Sequence, residues 1–227
     1  MGKGKLQKWA DNKTFSNVYE PDIKGIVGGG SVNKGVWAER AFGNDHPITL
    51  ELGCGKGEYT VALARRHPER NFIGIDIKGH RFWRGAKTAH DDGLKNVAFL
   101  RTRIEFVQNF FTAGEISEIW LTFSDPQPKD EKGTKRITSA IFLERYRGFM
   151  RPGGLVHVKS DSPLLYERSH EDWLAAGFEI EESSQDIYGD LVHRVEPDFA
   201  ELLNVKTFYE KMWLEQGRKI HYLRTHV

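Results

Sequence analysis

Three acids stand where chain direction changes and where chemistry is expected. Glu51 sits in the apolar run "ITLEL", Asp76 follows "FIGI", and Asp125 follows "EIWLTF" inside the stiff corner "SDPQPK". Pro126 drives Asp125 away from helical geometry, and Pro126 with Pro128 stiffens the corner on its C-terminal side, so this carboxylate is expected to be held rigidly at a strand end. Beside Glu51 the chain reads "ELGCGKGEYTVALA". Gly53, Gly55 and Gly57 there allow a tight turn at the opening of a helix and let a ligand approach the backbone without Cβ interference. Asp76 lies about 20 residues further on, the spacing at which a carboxylate reaches the ribose hydroxyls of a nucleoside cofactor.

Charge discriminates among such cofactors. A phosphate-binding loop for ATP needs Gly-Lys-Ser/Thr, whereas Lys56 is followed by Gly57. NAD stays open. S-adenosylmethionine carries a sulfonium cation and no phosphate, so a pocket lined by Glu51, Asp76 and Asp125 attracts it and would repel a pyrophosphate. Cys54 lies inside the turn with no base beside it in sequence and reads as packing rather than as a nucleophile. As the only cysteine it excludes an internal disulfide and a cysteine-rich zinc site, and no metal is expected.

The elements that must position these residues alternate. "ITLEL", "FIGI", "VAFL", "EIWLTF", "GGLVHVKS" and "FEIEES" read as strands. Helices are expected over roughly 57–66, 80–91, 138–149 and 163–175, with a weaker one through "EFVQNFF" and a last apolar segment around 203–209. This rhythm predicts an α/β fold with a mainly parallel sheet covered by helices on both faces, whose ligands bind beyond the strand C-terminal ends. Residues 1–45, lysine-bearing and Gly-rich at "PDIKGIVGGGSVNKG", are expected to form an irregular basic arm ahead of one domain over 46–227.

At 227 residues, 39% hydrophobic and 29% charged, the chain holds enough apolar side chain for a substantial core and no run long enough to cross a membrane. Lysines at the start are not followed by an apolar segment, so the expected location is the cytoplasm. A net charge of +1 does not announce a nucleic-acid binder, and local clusters matter more. Residues 129–151 hold seven Lys/Arg against three acids, and four lysines occur in the first 13 residues.

"LTFSDPQPK", "KRITSAIFLERYRGFMRPGGLVHVKSD" and, late in the chain, "KTFYE" together resemble the bacterial tRNA (guanine-N7)-methyltransferase family, over about Ile48 to Ile220. The resemblance implies a Rossmann-like class I S-adenosylmethionine-dependent methyltransferase with a seven-stranded sheet, acting on N7 of a guanosine in the tRNA variable loop. It implies cofactor contacts from Glu51, Gly53, Gly55, Gly57, Asp76 and Asp125, with Asp125 as the catalytic acid between cofactor and base. Lys129, Lys135, Arg136, Asp161, Thr207, Tyr209 and Glu210 match its substrate-binding positions. Two features depart from the family. Arg103 stands where an acid usually contacts the adenine side of the cofactor, leaving the backbone of Arg103 and Ile104 to serve; and "KDEKGTKRIT" carries acids where a dense basic run is usual. tRNA is the expected partner, and the sequence is compatible with a monomer or a homodimer.

Overall fold

A computed structural model describes residues 3–22 and 33–227; most of the Gly-rich stretch of the expected arm lies outside the described residues. The chain divides into two compact units, Met1–Ser117 and Glu118–Val227.

In the first unit the apolar runs become β2 (Ile48–Leu52), β3 (Asn71–Asp76) and β4 (Val97–Arg101). Every residue of β2 and β3 is buried, as expected of strands covered on both faces. Their pairings are parallel, with Leu50 opposite Ile73 and Ile73 opposite Ala98. Helix α2 (Glu58–Arg66) buries Tyr59, Val61 and Leu63, and α3 (Gly79–Asp91) buries Phe82, Ala86 and Ala89, one stripe at helical spacing. Phe99 on β4 is the keystone of this packing. A Cβ added at Gly57, Gly74 or Gly85 would lie 2.5, 2.8 or 2.8 Å from its ring, so three glycines open the slot that the ring fills.

The segment expected as an irregular arm is partly regular. Lys3–Asn12 form α1, and Val18–Tyr19 form β1, a short parallel edge strand with Val18 opposite Phe99. Buried Asn12 donates to the Gly79 carbonyl (3.1 Å) and Trp83 Nε1 donates to Asp11 (2.9 Å), which fixes α1 to α3. Strand order in this unit is β1-β4-β3-β2. With β1 the described residues hold eight strands rather than the expected seven.

Most of β5 (Ile116–Thr122) lies in the second unit, all seven residues buried. It is followed by α4 (Ala140–Arg147), β6 (Met150–Ser160), α5 (Pro163–Ala175) and β7 (Ile180–Ser184). The last apolar segment is not one element. It is divided between two helices, α6 (Pro197–Leu203) and α7 (Phe208–Glu215), and a strand absent from the sequence expectation comes after them, β8 (His221–His226). β8 lies between β6 and β7 and is antiparallel to both. Among the described residues no helix is long and apolar enough to cross a membrane.

Candidate functional site

The glycine turn of the first unit is built as a cradle. Gly53 and Cys54 both donate to the Ile75 carbonyl (2.8 and 3.0 Å), folding the turn over the end of β3. Gly53, Gly55 and Gly57 all have positive φ (80°, 56° and 73°), which favours glycine. Their surroundings differ. A Cβ at Gly53 meets nothing within 4 Å and one at Gly55 only a single backbone oxygen at 4.0 Å, whereas Gly57 is closed by Phe99. The first two glycines therefore keep a face open, and the third brings helix and strand together.

Two acids stabilise that cradle. Gly57 offers no side-chain cap to α2, and Glu51, reaching from β2, accepts the Thr60 amide (2.9 Å) and the Thr60 hydroxyl instead. Glu51 is 4% exposed, and its Oε2 serves as that cap. Asp76 accepts the Gly55 amide (3.1 Å) on one oxygen and the Lys78 amide (2.7 Å) on the other. Each carboxylate oxygen has a second lone pair, so Asp76 retains acceptor capacity toward the turn's open face. Burial, then the charges of Glu51 and Asp76, push the Cys54 thiol well up. Cys54 is thus kept neutral and inert, and the field that holds it so is the one that favours a cation and opposes a pyrophosphate.

Arg103 precedes the 3-10 turn Ile104–Asn109, and its exposed guanidinium pairs with Glu105 (3.1 Å). It supplies no acid, so only backbone at Arg103 and Ile104 is available in the expected place. Ile77, next to Asp76, is 49% exposed. An apolar side chain left in water beside the cradle suits the flat face of a base, and no sequence motif singles it out.

In the second unit the corner after β5 is held by strained backbone. Phe123 and Gln127 have φ of 54° and 48°, rare outside glycine. The Phe123 amide donates to the Lys159 carbonyl (2.7 Å), and Arg168, which no sequence motif singles out, donates to the Pro128 carbonyl (2.9 Å). Asp125 is exposed and accepts the Gln127 amide on Oδ1 (2.9 Å), while Oδ2 takes no hydrogen bond from the described residues. An acceptor is thereby presented on a rigid turn.

The loop beyond is folded by its acid. Despite desolvation, which raises it, Asp130 is held down to about 2 by the amides of Lys135, Arg136 and Thr134 and the Thr134 hydroxyl. An open cavity of about 320 Å³ results, lined by Gln127, Lys129, Lys132 and Lys135 among others. Lys129 and Lys135 are exposed. Arg136 is not. At 2% exposure, it pairs with Asp172 and donates to the Asp130 carbonyl (3.2 Å), pinning the loop to α5.

The "KTFYE" box is likewise mostly architectural. Thr207 and Glu210 form a reciprocal capping box at the start of α7. Glu210, fully buried, also takes Lys159 Nζ at 2.7 Å and the Tyr188 hydroxyl at 2.6 Å, and Lys159 donates further to the carbonyls of Leu203 and Val205. Burial lowers the pKa of Lys159 and Glu210 opposes the shift. With three acceptors around three donors, the ammonium form fits the site. Thr207 and Glu210 thus support the start of α7. Asp161 pairs with Arg218 (3.0 Å). Tyr209 stays 51% exposed, and its neighbour Phe208, within the same box, 56%.

Residues 45–223 match the family model described as "Putative methyltransferase". The chain is also similar to solved rRNA methyltransferases. The 16S rRNA methyltransferase KamB superposes with a TM-score of 0.59 at 17% identity, covering 83% of this chain and 91% of that one. A 16S rRNA (adenine(1408)-N(1))-methyltransferase from Catenulisporales acidiphilia superposes with 0.55 at 18% identity, covering 84% and 89%. Fold and glycine cradle thus define a Rossmann-like class I methyltransferase. Similarity in sequence is closer to relatives named tRNA (guanine-N(7)-)-methyltransferase. That of Bacteroides thetaiotaomicron is 48% identical over 99% of this chain and 86% of its own, and that of Christiangramia forsetii 46% over 98% and 97%. The chain belongs to the tRNA (guanine-N(7)-)-methyltransferase family.

Proposed function

We propose that this protein transfers a methyl group from S-adenosyl-L-methionine to N7 of a guanosine in the variable loop of tRNA, in the cytoplasm, with residues 46–227 as the methyltransferase domain. The observation that carries the reading is the 48% identity over 99% of the chain to a relative of that name. When bound, S-adenosylmethionine supplies an electrophilic methyl group on a sulfonium. Gly53 and Gly55 leave the room for it, Asp76 accepts from ribose hydroxyls with its remaining lone pairs, and the charges of Glu51 and Asp76 favour a cation there. Ile77 offers its exposed side chain to the adenine face.

Guanine N7 has an in-plane lone pair and needs no deprotonation, so a strong general base is unnecessary. The protein's task is alignment and stabilisation of the positive charge that develops on the base. Asp125 accepts from guanine N1–H and N2–H with Oδ2, which selects guanine and steadies the cationic product. Tyr209 and Phe208 offer flat faces to an unstacked base, and Lys129 and Lys135 hold phosphate. Asp125→Ala should reduce single-turnover methyl transfer at least a hundredfold while tRNA affinity persists, read from rapid-quench and filter-binding measurements. Wild-type turnover in that variant would contradict the role given to Asp125.

A further inference from the structure

The first unit carries a second charged feature that the cradle does not use. Helix α1 presents Lys5 and Lys8 one turn apart, and the start of α3 presents Lys78, His80, Arg81 and Arg84. Asn12 and Trp83 hold the two helices together, so these groups form one surface. The Trp83 indole lies between two of the cations, with Lys8 Nζ 4.9 Å and Arg84 Cζ 5.9 Å from its centroid.

Several cations elsewhere are neutralised in pairs. On the last turns of the same α3, Lys87 meets Asp91 at 2.6 Å, and Arg103, Arg147, Arg194, Arg218 and Arg224 each have a carboxylate within 3.1 Å. Among the described residues no carboxylate is within ion-pair distance of Lys5, Lys8, Lys78, Arg81 or Arg84. The nearest acid on α1, Asp11, is engaged by Trp83 and by Gln7 (2.8 Å). Besides desolvation, the charges of Lys5, Arg81, Lys8 and Lys78 all lower the pKa of His80, the expected effect of cations converging on one place. Like charges kept together without an ion-pair partner in a chain of net charge +1 suit a polyanion.

We propose that this α1–α3 surface binds the phosphate backbone of the tRNA substrate, independently of base sequence. The inference rests on the reading of tRNA as substrate and adds a contact surface formed within the first unit. Cations one turn apart on two packed helices suit successive phosphates, and phosphate contacts position a nucleic acid without reading its sequence. The test is the triple variant Lys5→Gln, Arg81→Gln, Arg84→Gln, with Lys5→Arg, Arg81→Lys, Arg84→Lys as its charge-preserving counterpart. Cofactor affinity and melting temperature report that both are folded.

Binding of unmodified tRNA is followed by fluorescence anisotropy across a salt series. Each lost phosphate contact removes about 0.7–0.9 from the slope of log K against log salt, so the neutral triple should flatten it by about 2–3, weaken tRNA binding about tenfold or more at low salt, and do so equally for tRNAs of different sequence. The charge-preserving triple should restore both. A neutral triple with wild-type affinity and slope would overturn the inference while leaving the methyltransferase reading intact if the wild type methylates tRNA. Loss of binding to anionic phosphatidylserine vesicles, with tRNA affinity unchanged, would overturn it in favour of a membrane surface. A wild type that neither binds nor methylates tRNA would remove the reading on which it rests.

Discussion

Gly53 and Gly57 share a left-handed backbone but not the reason for it. At Gly57 an added methyl would meet Phe99 at 2.5 Å, so Gly57→Ala combines overpacking with backbone strain, together about 2–5 kcal/mol. At Gly53 the space is open, and Gly53→Ala carries the strain alone, about 1–2 kcal/mol, while filling room meant for the ligand. Thermal melts should show the larger loss for Gly57→Ala, about 5–15 °C, and cofactor titration the larger loss of affinity per degree for Gly53→Ala. Equal melting shifts would contradict this division of labour. The sequence showed the three glycines and the acids near them through spacing alone. What it concealed is partnership: Glu51 and Asp76 both read as acids near strand ends, yet only the fold reveals that Glu51 caps Thr60 while Asp76 holds the amides of Gly55 and Lys78. Arg136 was legible as a cation and illegible as a buried one, because its carboxylate partner Asp172 lies 36 residues away.

Lys159 joins elements by two different routes. Its carbonyl receives the Phe123 amide and so steadies the turn that presents Asp125, while its ammonium holds Glu210 and the start of α7. Removing one member of a fully buried pair leaves an uncompensated charge, so Lys159→Met should destabilise by about 3–5 kcal/mol in chemical denaturation. Glu210→Gln keeps the shape of the capping box, and adding it to Lys159→Met should recover part of that loss. Strict additivity of the two would show that the pair is not coupled. At this scale the strands and helices from β2 through β7 were readable from apolar periodicity. β8 was not, since "HYLRTH" sets only the adjacent Tyr222 and Leu223 among histidine, arginine and threonine, and its burial depends on neighbours β6 and β7 on both sides. α1 was hidden for a related reason: a lysine-rich segment resembles a solvated tail until Trp83 and Asn12 anchor it to α3.

For the whole molecule, a net charge of +1 obscures how unevenly charge is distributed. Lys5, Lys8, Lys78, Arg81 and Arg84 cluster on α1 and the start of α3 in one unit, and Lys129, Lys132 and Lys135 line a cavity together with Asp130 and Glu131 in the other. Each unit thus carries a cluster of cations, and the family to which the chain belongs is named for tRNA methylation. Acids and cations lie close together along the chain, Asp76 beside Lys78 and Asp125 near Lys129, which is why composition alone is uninformative. The most direct test is to incubate the protein with S-adenosylmethionine and tRNA lacking the modification, digest the RNA to nucleosides and separate them by mass spectrometry. The account predicts 7-methylguanosine, mapped to the variable loop, as the only new methylated nucleoside; a methylated exocyclic amine, or 7-methylguanosine elsewhere in the tRNA, would contradict it.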